Sequence, residues 1–527
     1  MKRLLVIPAY FGVLLLALFG SPAIANHSND PHENMRHVAN RGEGEDDRTF
    51  TDLAFWGRIA AQGTYDGFRL FDISNPASPK ELVDYPCNGG QGDVSLHKAG
   101  NRLLLFRSID SAQNKPECDS TGVSTALQPT TPTLFEGIRI IDVTNPAKPK
   151  FVKGVYTDCG SHTHTLIRDN KNNRAIIYVS SYPIGAQYDF DPAEEFGPSK
   201  QCKVPHARIS VIVVPNGAPE KARVHHEHPI HPQAVGSGGL GEALPGTIGC
   251  HDITVFTDPK VKAAASACLT EAQLWDISNP LYPCTVPAPT PQAPRNQGED
   301  CHTHIDVPNV ELYHSSTYTW DARVVLFGDE HGGGLAPGCN GPEDTQGNIW
   351  FHKNVKPGNP SPVLGRYMIE RVVNPQPCTL HNFNIIPIEN NRRYIGVSSL
   401  YQGGTTVFDF TGVKKLLANP PIATDEIVAN EIAWWDSEGG DGNGRADDWS
   451  TYWHNNFIYA SGGLGALRDV PAHRAGNRGL DVYTLLVNGK RFRADTEPYQ
   501  NPQTQEDLEE NERRRRQRDR ERERDDD

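Results

Sequence analysis

The sequence predicts an all-β protein, a seven-bladed β-propeller built from four-stranded antiparallel blades. Three observations predict this fold. The chain of 527 residues contains 48 Gly, 41 Pro and only 3 Met, and its apolar runs are short and bounded by turn residues, as strands are. One strand-turn template recurs along the chain. Further strand-like runs bring each period to four strands, and units of this kind bury their faces only by stacking in a ring.

The template consists of a small residue, an alternating apolar strand, an Asp, and a turn built on Asn-Pro or Asn-Gly. The Asp and Asn side chains can bond nearby backbone, and Pro fixes a turn that cannot continue the ladder. The clear copies are "GFRLFDISNPASPK" from Gly67, "GIRIIDVTNPAKPK" from Gly137 and "AQLWDISNPLYP" from Ala272, and weaker copies begin at Arg208, Gly404 and Gly479. Seven periods result, beginning near Phe50, Cys87, Cys159, Cys250, Cys301, Cys378 and Trp449.

The copies from Gly67 and Gly137 resemble the LVIVD repeat, a propeller-forming repeat of secreted and surface proteins. Looser similarity extends over roughly residues 50–490. The resemblance implies a propeller fold and a location outside the cytoplasm. It implies no activity, because a fold does not name a function.

Four regions are predicted along the chain. Residues 1–25 are a signal peptide, because Lys2 and Arg3 precede an apolar run and "SPAIA" ends at a small-residue cleavage site. A single membrane anchor is the alternative, although the run is short. Residues 26–48 are polar and expected to be loose, and residues 49–495 form the propeller. Residues 496–527 are a charged, disordered tail, since "NERRRRQRDRERERDDD" has no apolar residue with which to form a core.

The overall charge and hydropathy bound the partners. The formal net charge of -14 argues against nucleic acid, because binding to phosphates needs a basic face. No second apolar run is long enough to cross a bilayer. We therefore expect a monomer that is secreted, periplasmic or at the cell surface, and that does not span the membrane once the signal is removed. Its partner at the loop face is a small molecule or a protein that the sequence does not name.

Histidines recur at the predicted start of the innermost strand of five blades. The positions are His162, His251, His302, His381 and, less clearly aligned, His454. Because side chains of a strand alternate with period two, His164 and His304 face the same way as His162 and His302. A closed propeller would bring these rings to one mouth of its channel.

Crowded neutral imidazoles are good ligands, so the sequence predicts a transition-metal site for Cu or Zn at this mouth. The alternative is that each ring bonds the backbone of a neighbouring blade without metal. Asp329, Glu330 and His331 lie in a loop of the fifth period that reaches the same face, as further ligands or as an ordinary polar hairpin. The cluster "RVHHEHPIHP", with His225, His226, His228 and His231, is either a surface metal site or a solvated strand edge.

The 10 cysteines are even in number, as expected in an oxidising compartment. One set precedes the first strand of a blade, and the other lies near the loop between the second and third strands, on the same face. The predicted bridges are Cys87–Cys118, Cys159–Cys202, Cys250–Cys268 and Cys301–Cys339, which leaves Cys284 and Cys378 unassigned. Oxidised cysteines are poor metal ligands, so the metal prediction uses histidine.

The loop "EGGDGNGRADDW" predicts a calcium site with Asp441, Asn443, Asp447 and Asp448 as oxygen ligands. The loop lacks the closing bidentate Glu, so a flexible Gly-rich linker is the alternative.

Two functions remain open. The first is an exported binding or scaffold module whose histidine-lined mouth binds a transition metal. The alternative is a metal-dependent, copper-type oxidoreductase that acts on a small molecule in the channel. Nucleophilic hydrolysis has little support, because the chain has no G-x-S-x-G elbow.

Overall fold

Seven sheets of four or five strands follow one another along the chain, and each forms one blade of a β-propeller, as the sequence predicts. The structure is a computed structural model. It describes residues 32–42, 48–123, 134–183, 206–230, 249–257, 261–284, 301–334, 339–373, 378–420, 425–436, 447–463 and 479–506. The predicted signal peptide and residues 507–527 of the predicted tail lie outside this range.

The chain enters with two strands that complete later blades, β1 (His32–Glu33) and β2 (Met35–Arg41). The first blade contains β3 (Phe50–Trp56), β4 (Ile59–Thr64), β5 (Gly67–Asp72) and β6 (Lys80–Pro86). The second contains β7 (Val94–Ala99), β8 (Arg102–Gln113), β9 (Phe135–Asp142) and β10 (Lys150–Tyr156). The third contains β11 (Thr163–Asp169), β12 (Arg174–Ser180), β13 (Arg208–Pro215) and β14 (Arg223–Pro229). Within each blade the first strand is innermost.

The fourth blade contains β15 (Asp252–Phe256), β16 (Ala263–Ala267), β17 (Ala272–Asp276) and β18 (His302–Ile305). The fifth region contains β19 (Tyr313–Tyr318), β20 (Val324–Asp329), β21 (Cys339–Asn340), β22 (Ile349–Lys353), β23 (Val363–Tyr367) and β24 (Val372–Val373). There β21 and β24 pair separately, and the other four form the blade. The sixth blade contains β25 (Phe383–Ile385), β26 (Ile395–Ser399), β27 (Thr405–Asp409) and β28 (Asn430–Trp435).

The seventh blade contains β29 (Asp448–His454), β30 (Phe457–Gly462) and β31 (Gly479–Val487), and β32 (Lys490–Arg491) pairs with β31. Two last strands, β33 (Tyr499–Gln500) and β34 (Thr504–Gln505), lie beside β3 and β15. In the described residues the helical segments are short 3₁₀ turns at Asn170–Asn172, Pro219–Lys221, His331–Gly334, Glu389–Asn391 and Thr411–Lys415. No helix in this part of the chain is long and apolar enough to cross a membrane.

The repeated template makes the third strand of a blade and the turn after it. In the first copy the Asp72 carboxylate accepts the backbone N–H of Ser74 at 2.9 Å, and Asp142 accepts that of Thr144 at 2.9 Å in the second. These bonds close the turn as the sequence predicts. Alternate residues of the strand face opposite neighbours: Leu70 packs toward the second blade and Phe71 toward the seventh. Both faces of a blade are therefore buried, which is why the strands read as nearly continuous apolar runs.

Residues 32–41 close the ring, which corrects the expectation of a loose segment for this part of residues 26–48. β2 pairs antiparallel with β31 and forms the outermost strand of the seventh blade, and β1 extends the sixth. Met35 and Ala39 of β2 are buried, Met35 between the sixth and seventh blades and Ala39 between the seventh and first. The segment looks polar because Met35, Val38 and Ala39 are the only apolar residues of β2.

The sequence "CHTHIDV" does not begin the fifth blade, which corrects the predicted register. It forms β18, the outermost strand of the fourth blade, where Trp275 pairs with His302. In the other clear copies of the template the fourth strand follows the turn directly, but here residues 285–300 intervene. A disulfide between Cys284 and Cys301 joins the two ends of this insertion. The innermost strand of the fifth blade is β19 instead.

The disulfides follow the same correction. Cys87–Cys118 and Cys250–Cys268 are present as predicted. The predicted Cys301–Cys339 bridge is wrong: Cys301 starts an outer strand and pairs with Cys284, and Cys339 pairs with Cys378. Cys159 is disulfide-bonded, but its predicted partner Cys202 lies outside the described residues, so that pairing remains a prediction.

The predicted start of the disordered tail, residue 496, is also too early in the chain. Residues 497–506 are buried or partly buried within the channel rather than outside the propeller. Their contacts are mostly made by polar side chains, so the apolar pattern that reveals a strand is missing.

Candidate metal centre

Four histidines from consecutive blades lie side by side at one end of the channel. They are His162, His251, His314 and His381, from the third, fourth, fifth and sixth blades. The ring centroids are 4.5 Å apart for the first pair, 3.7 Å for the second and 4.3 Å for the third. His162, His251 and His381 stand one or two residues before an innermost strand, and His314 is the second residue of one. Three of the histidines predicted to start blades, His162, His251 and His381, lie in this row, and His314 joins them without having been predicted.

The carboxylate of Glu330, which follows β20, lies against this row. One of its oxygens is 3.5 Å from Nε2 of His314 and the other is 3.6 Å from Nε2 of His381. Ligand atoms of His251, His314 and Glu330 all lie within 4.8 Å of one another, and all three residues are buried. Among the described residues this is the one tight group of potential metal ligands. A single ion could contact all three.

Hydrogen bonds to the outer side of the rings orient them. Nδ1 of His381 bonds the carbonyl oxygen of Trp449, which can only accept, so the ring proton is on Nδ1 and Nε2 carries the lone pair. Nδ1 of His162 lies 2.9 Å from Asp110, and Nδ1 of His251 lies 3.2 Å from Asp252. Metal-binding histidines are characteristically held in this way, by a carboxylate or a carbonyl on the far nitrogen.

The electrostatics keep three of the rings, those of His251, His314 and His381, neutral. Burial lowers the pKa of His381 to about 3, and burial with neighbouring imidazoles lowers the pKa values of His251 and His314 well below their usual range. Nδ1 of His314 is buried with no hydrogen-bond partner among the described atoms. Neutral rings with an unpartnered nitrogen are ready to bind a metal without first losing a proton.

Glu330 is also held from outside, by the phenol of Tyr401, which donates to one carboxylate oxygen. Tyr401 has a left-handed backbone, with φ of 49°, and its ring lies 4.6 Å from that of His381. Gly334 approaches so closely that a Cβ at that position would lie 2.5 Å from the Tyr401 ring. A strained residue fixed by its neighbours in this way is typical of a functional site.

His164 lies between blades rather than in the row. Its Nδ1 is 2.9 Å from the hydroxyl of Ser108 and 3.2 Å from the carboxylate of Asp93, both contributed by the second blade's side of the interface. For this residue the structure favours the alternative of histidine bonding without metal.

His302 and His304 are separated from the row, because β18 is an outer strand. Nδ1 of His304 is 2.8 Å from the carboxylate of Glu271, and its ring lies 4.2 Å from that of His302. The predicted place of these two histidines at the channel mouth is wrong, and His314 takes the position in the fifth blade.

His454 is the last residue of β29, so it lies at the opposite end of an innermost strand from the row. Its ring stacks on Phe55 at 4.5 Å, and Asn455 donates to its Nε2 at 2.9 Å. The sequence predicts His454 at the mouth by treating "HNNFIY" as a first strand, whereas Asn455 and Asn456 make the turn and Phe457 begins β30.

A pH measurement checks the buried, neutral state of His454. Burial lowers its folded-state pKa to about 4, below the value of about 6.5 in an unfolded chain. As pH falls below about 6.5 the unfolded state takes up the proton first, so His454 lowers the free energy of unfolding by up to about 1.4 kcal/mol per pH unit until about pH 4. His454→Phe should therefore show a shallower loss of stability between pH 6.5 and 4 in urea unfolding. Equal slopes in the two proteins would contradict the assignment.

Asp329 and His331, the other two candidate ligands in the fifth-blade loop, have structural partners. Asp329 accepts the N–H of Leu312 and that of Gly347, each at 2.9 Å, and burial raises its pKa to about 7. His331 bonds Glu311, which raises the pKa of the histidine. Of the three predicted residues only Glu330 joins the metal group.

The remaining predicted sites are partly outside the described residues. Asp441 and Asn443 are not described, and Asp448 is the first residue of β29, where it accepts the hydroxyl of Thr405 at 2.6 Å. The calcium loop stays a prediction. His226 and His228 share one face of β14, with ring nitrogens 3.1 Å apart, and His225 bonds the phenol of Tyr282. His231 lies outside the described residues.

Sequence reasoning missed His314 and Tyr401. The indication for His314 was present, since "YHSSTY" precedes a turn and the apolar strand "VVLFGD", as a first strand should. Assigning "CHTHIDV" as the first strand of the fifth blade leaves this run without a place in the blade. No local pattern marks Tyr401, because its role depends on a contact with a different blade.

Comparisons with known proteins give one sequence match and several weak structural likenesses. No curated protein matches the chain. A putative 6-phosphogluconolactonase from Bacteroides uniformis is 9% identical, covering 80% of this chain and 94% of its own, with a TM-score of 0.39. The periplasmic gluconolactonase of Pseudomonas aeruginosa is 11% identical, covering 82% and 100%, with a TM-score of 0.43. Raptor from Chaetomium thermophilum is 11% identical, covering 88% and 29%, with a TM-score of 0.41.

The sequence match falls on the first clear copy of the template. Residues 64–86 match the LVIVD repeat, and they include the third and fourth strands of the first blade, β5 and β6. The chain therefore carries an LVIVD repeat, set in a seven-bladed propeller.

Proposed function

We propose that the protein is an exported β-propeller that binds one transition-metal ion, copper or zinc, at the channel mouth. His251, His314 and Glu330 are the central ligands, and His381 or His162 can complete the site. The observation that carries the proposal is the convergence of these buried ligand atoms within 4.8 Å. Imidazole nitrogen with one carboxylate oxygen is a donor set that suits zinc and copper.

The second candidate function is the metal-dependent oxidoreductase. Three close protein ligands leave a coordination position for a substrate, which is the pattern of catalytic rather than structural metal sites. The Tyr401 phenol, which donates to Glu330, would hold the carboxylate in place for such a site.

Export is part of the proposal. The disulfides indicate an oxidising compartment, either extracellular or periplasmic, since such bonds persist there and are rare in the cytosol. The predicted signal peptide agrees with that compartment. We further propose that the propeller is a monomer whose loop face contacts a small molecule or a protein.

Elemental analysis of the exported, untagged protein tests the metal proposal. After removal of metal and reloading with Cu²⁺ or Zn²⁺, we expect about one ion per chain, and well under half in a His251→Ala, Glu330→Gln variant. If the parent protein retains neither metal, the proposal is wrong. Oxygen uptake by the copper-loaded protein with small thiols or phenols then separates the enzyme from the binding module.

A further inference from the structure

Residues 497–506 run along the channel at the end opposite to the histidines, and we call them the axial segment. They meet the last residues of innermost strands: Tyr499 pairs with Trp56 of β3, and Gln505 pairs with Phe256 of β15. The histidines stand where such strands begin. The axial segment thus enters the channel from the end opposite to the candidate metal centre.

Two side-chain amides of the axial segment bond the backbone of innermost strands as a neighbouring strand would. The Asn501 oxygen accepts the N–H of Leu96 at 2.7 Å, and its nitrogen donates to the Leu96 carbonyl at 3.0 Å. The Gln505 oxygen accepts the N–H of Tyr318 at 2.7 Å, and its nitrogen donates to the Tyr318 carbonyl at 2.6 Å. One amide serves the second blade and the other the fifth. Both side chains are buried, so these bonds replace water entirely.

The end of the segment is fixed by charge. Glu506 forms an ion pair with Arg168 of the third blade and accepts the Tyr499 hydroxyl at 2.5 Å. The Arg168 guanidinium also lies over the Tyr499 ring, 3.5 Å from its centroid. Thr504 donates to the Leu166 carbonyl at 2.7 Å. Polar contacts from several blades therefore converge on ten residues of chain.

The innermost strands explain why a segment is needed there. Their channel-side edges have backbone N–H and C=O groups with no neighbouring strand, and buried groups of this kind require partners. A cavity remains between the axial segment and the fourth to seventh blades, lined by residues that include Asp252, Asn382, Tyr452 and Gln503. The segment forms the floor of this cavity.

We propose that the far end of the channel is a peptide-binding site that the chain fills with its own axial segment. The ligand is an extended peptide with an Asn and a Gln four residues apart and an acidic residue next. Recognition combines strand addition at β3 and β15 with pairing of side-chain amides to backbone and of a carboxylate to Arg168. While the site is filled, a ligand reaches the channel from the histidine mouth.

Hydrogen exchange in the intact protein gives the first test. Asn501→Ala should speed exchange of the Leu96 amide by about tenfold or more and leave the Tyr318 amide unchanged, and Gln505→Ala should do the reverse. Thr496→Ala, at an exposed position just before the segment, is the control and should change neither. Unchanged exchange at both amides in both variants would overturn the proposal.

Cleavage of the full chain gives the second test. A protease recognition sequence is inserted at the exposed turn Asn488–Gly489, where an added Cβ would meet nothing within 4 Å. After cleavage the C-terminal fragment should stay with the propeller on size-exclusion chromatography. The Asn501→Ala, Gln505→Ala fragment should dissociate about tenfold faster or more, and the Thr496→Ala fragment at the parent rate.

Rebinding distinguishes a peptide site from a mere structural contact. A labelled synthetic peptide of residues 489–506 should bind the cleaved double variant saturably, and the same peptide with both substitutions should not. The intact parent should not bind it, because its site is filled. Equal binding to the intact parent and to the cleaved double variant, or equal retention of parent and double-variant fragments, would overturn the proposal.

Discussion

Replacing His314 by alanine is expected to lower the affinity for Cu²⁺ or Zn²⁺ by about a hundredfold or more, since a central ligand is lost. The same change at His302 should leave the affinity within about twofold. His314 lies between His251 and His381 and 3.5 Å from Glu330, whereas His302 is on an outer strand of the fourth blade. Both substitutions remove a buried imidazole, one from an innermost strand and the other from an outermost strand.

Competition with a chromogenic chelator measures both affinities, and urea unfolding of the metal-free proteins provides the control. Both histidines are buried, so each variant is expected to lose some stability. Only the His314 variant should lose metal. If the His302 variant showed the larger loss of affinity, the register suggested by the repeated His-Thr-His tripeptide would be right. The metal centre formed by His251, His314 and Glu330 would then be wrong.

The fold was predictable because its determinants are local. The alternation of each strand and the Asp and Asn of each turn act within about ten residues, so every clear copy of the template, such as that from Gly67, could be recognised alone. Seven repeats of four strands then leave few arrangements other than a propeller.

The predicted strand register is wrong after one insertion, and the histidines predicted for the fifth blade are wrong for the same reason. Residues 285–300 separate the third and fourth strands of the fourth blade. The fourth strand carries a His-Thr-His tripeptide like the one that begins at His162. The tripeptide alone does not show whether its strand is the innermost or the outermost strand of a blade. His162, His251 and His381 are predictable because their blades follow the regular order, while His314 is missed because the outermost strand of the fourth blade is assigned as the first strand of the fifth.

The two ends of the propeller were missed for a different reason. β2 has only three apolar residues and they do not alternate, and the axial segment has few, because it bonds backbone through side-chain amides. Their partners are far away in sequence: 187 residues separate Tyr318 from Gln505, 405 separate Leu96 from Asn501, and 398 separate Asn34 from Ile432. Contacts of that span leave no periodic trace that a sequence pattern can reveal.

Deleting residues 32–42 should lower the free energy of unfolding by about 5 kcal/mol or more, because the seventh blade loses its outermost strand. Six residue pairs between β2 and β31 disappear, from Met35↔Leu485 to Arg41↔Leu480. The deletion also removes both partners of the buried Asp481, whose carboxylate accepts His37 at 2.7 Å and Asn40 at 3.0 Å. Burial already raises the pKa of Asp481, so a charge left there without a donor is costly.

Two point variants separate loss of packing from loss of chain. Met35 is 2% exposed within an apolar cluster that includes Trp453 and Tyr483, so Met35→Ala should cost about 3 kcal/mol. Arg36 is the exposed neighbour of Met35 on the same strand. Arg36→Ala should change the free energy of unfolding by less than about 0.5 kcal/mol. Urea unfolding of the exported proteins measures the free energy of unfolding of the deletion variant and of both point variants. Equal stability of the parent and the deletion variant would mean that the ring closes without β2, whereas a large loss shared by Met35→Ala and the deletion identifies the N-terminal strand as the closure of the propeller.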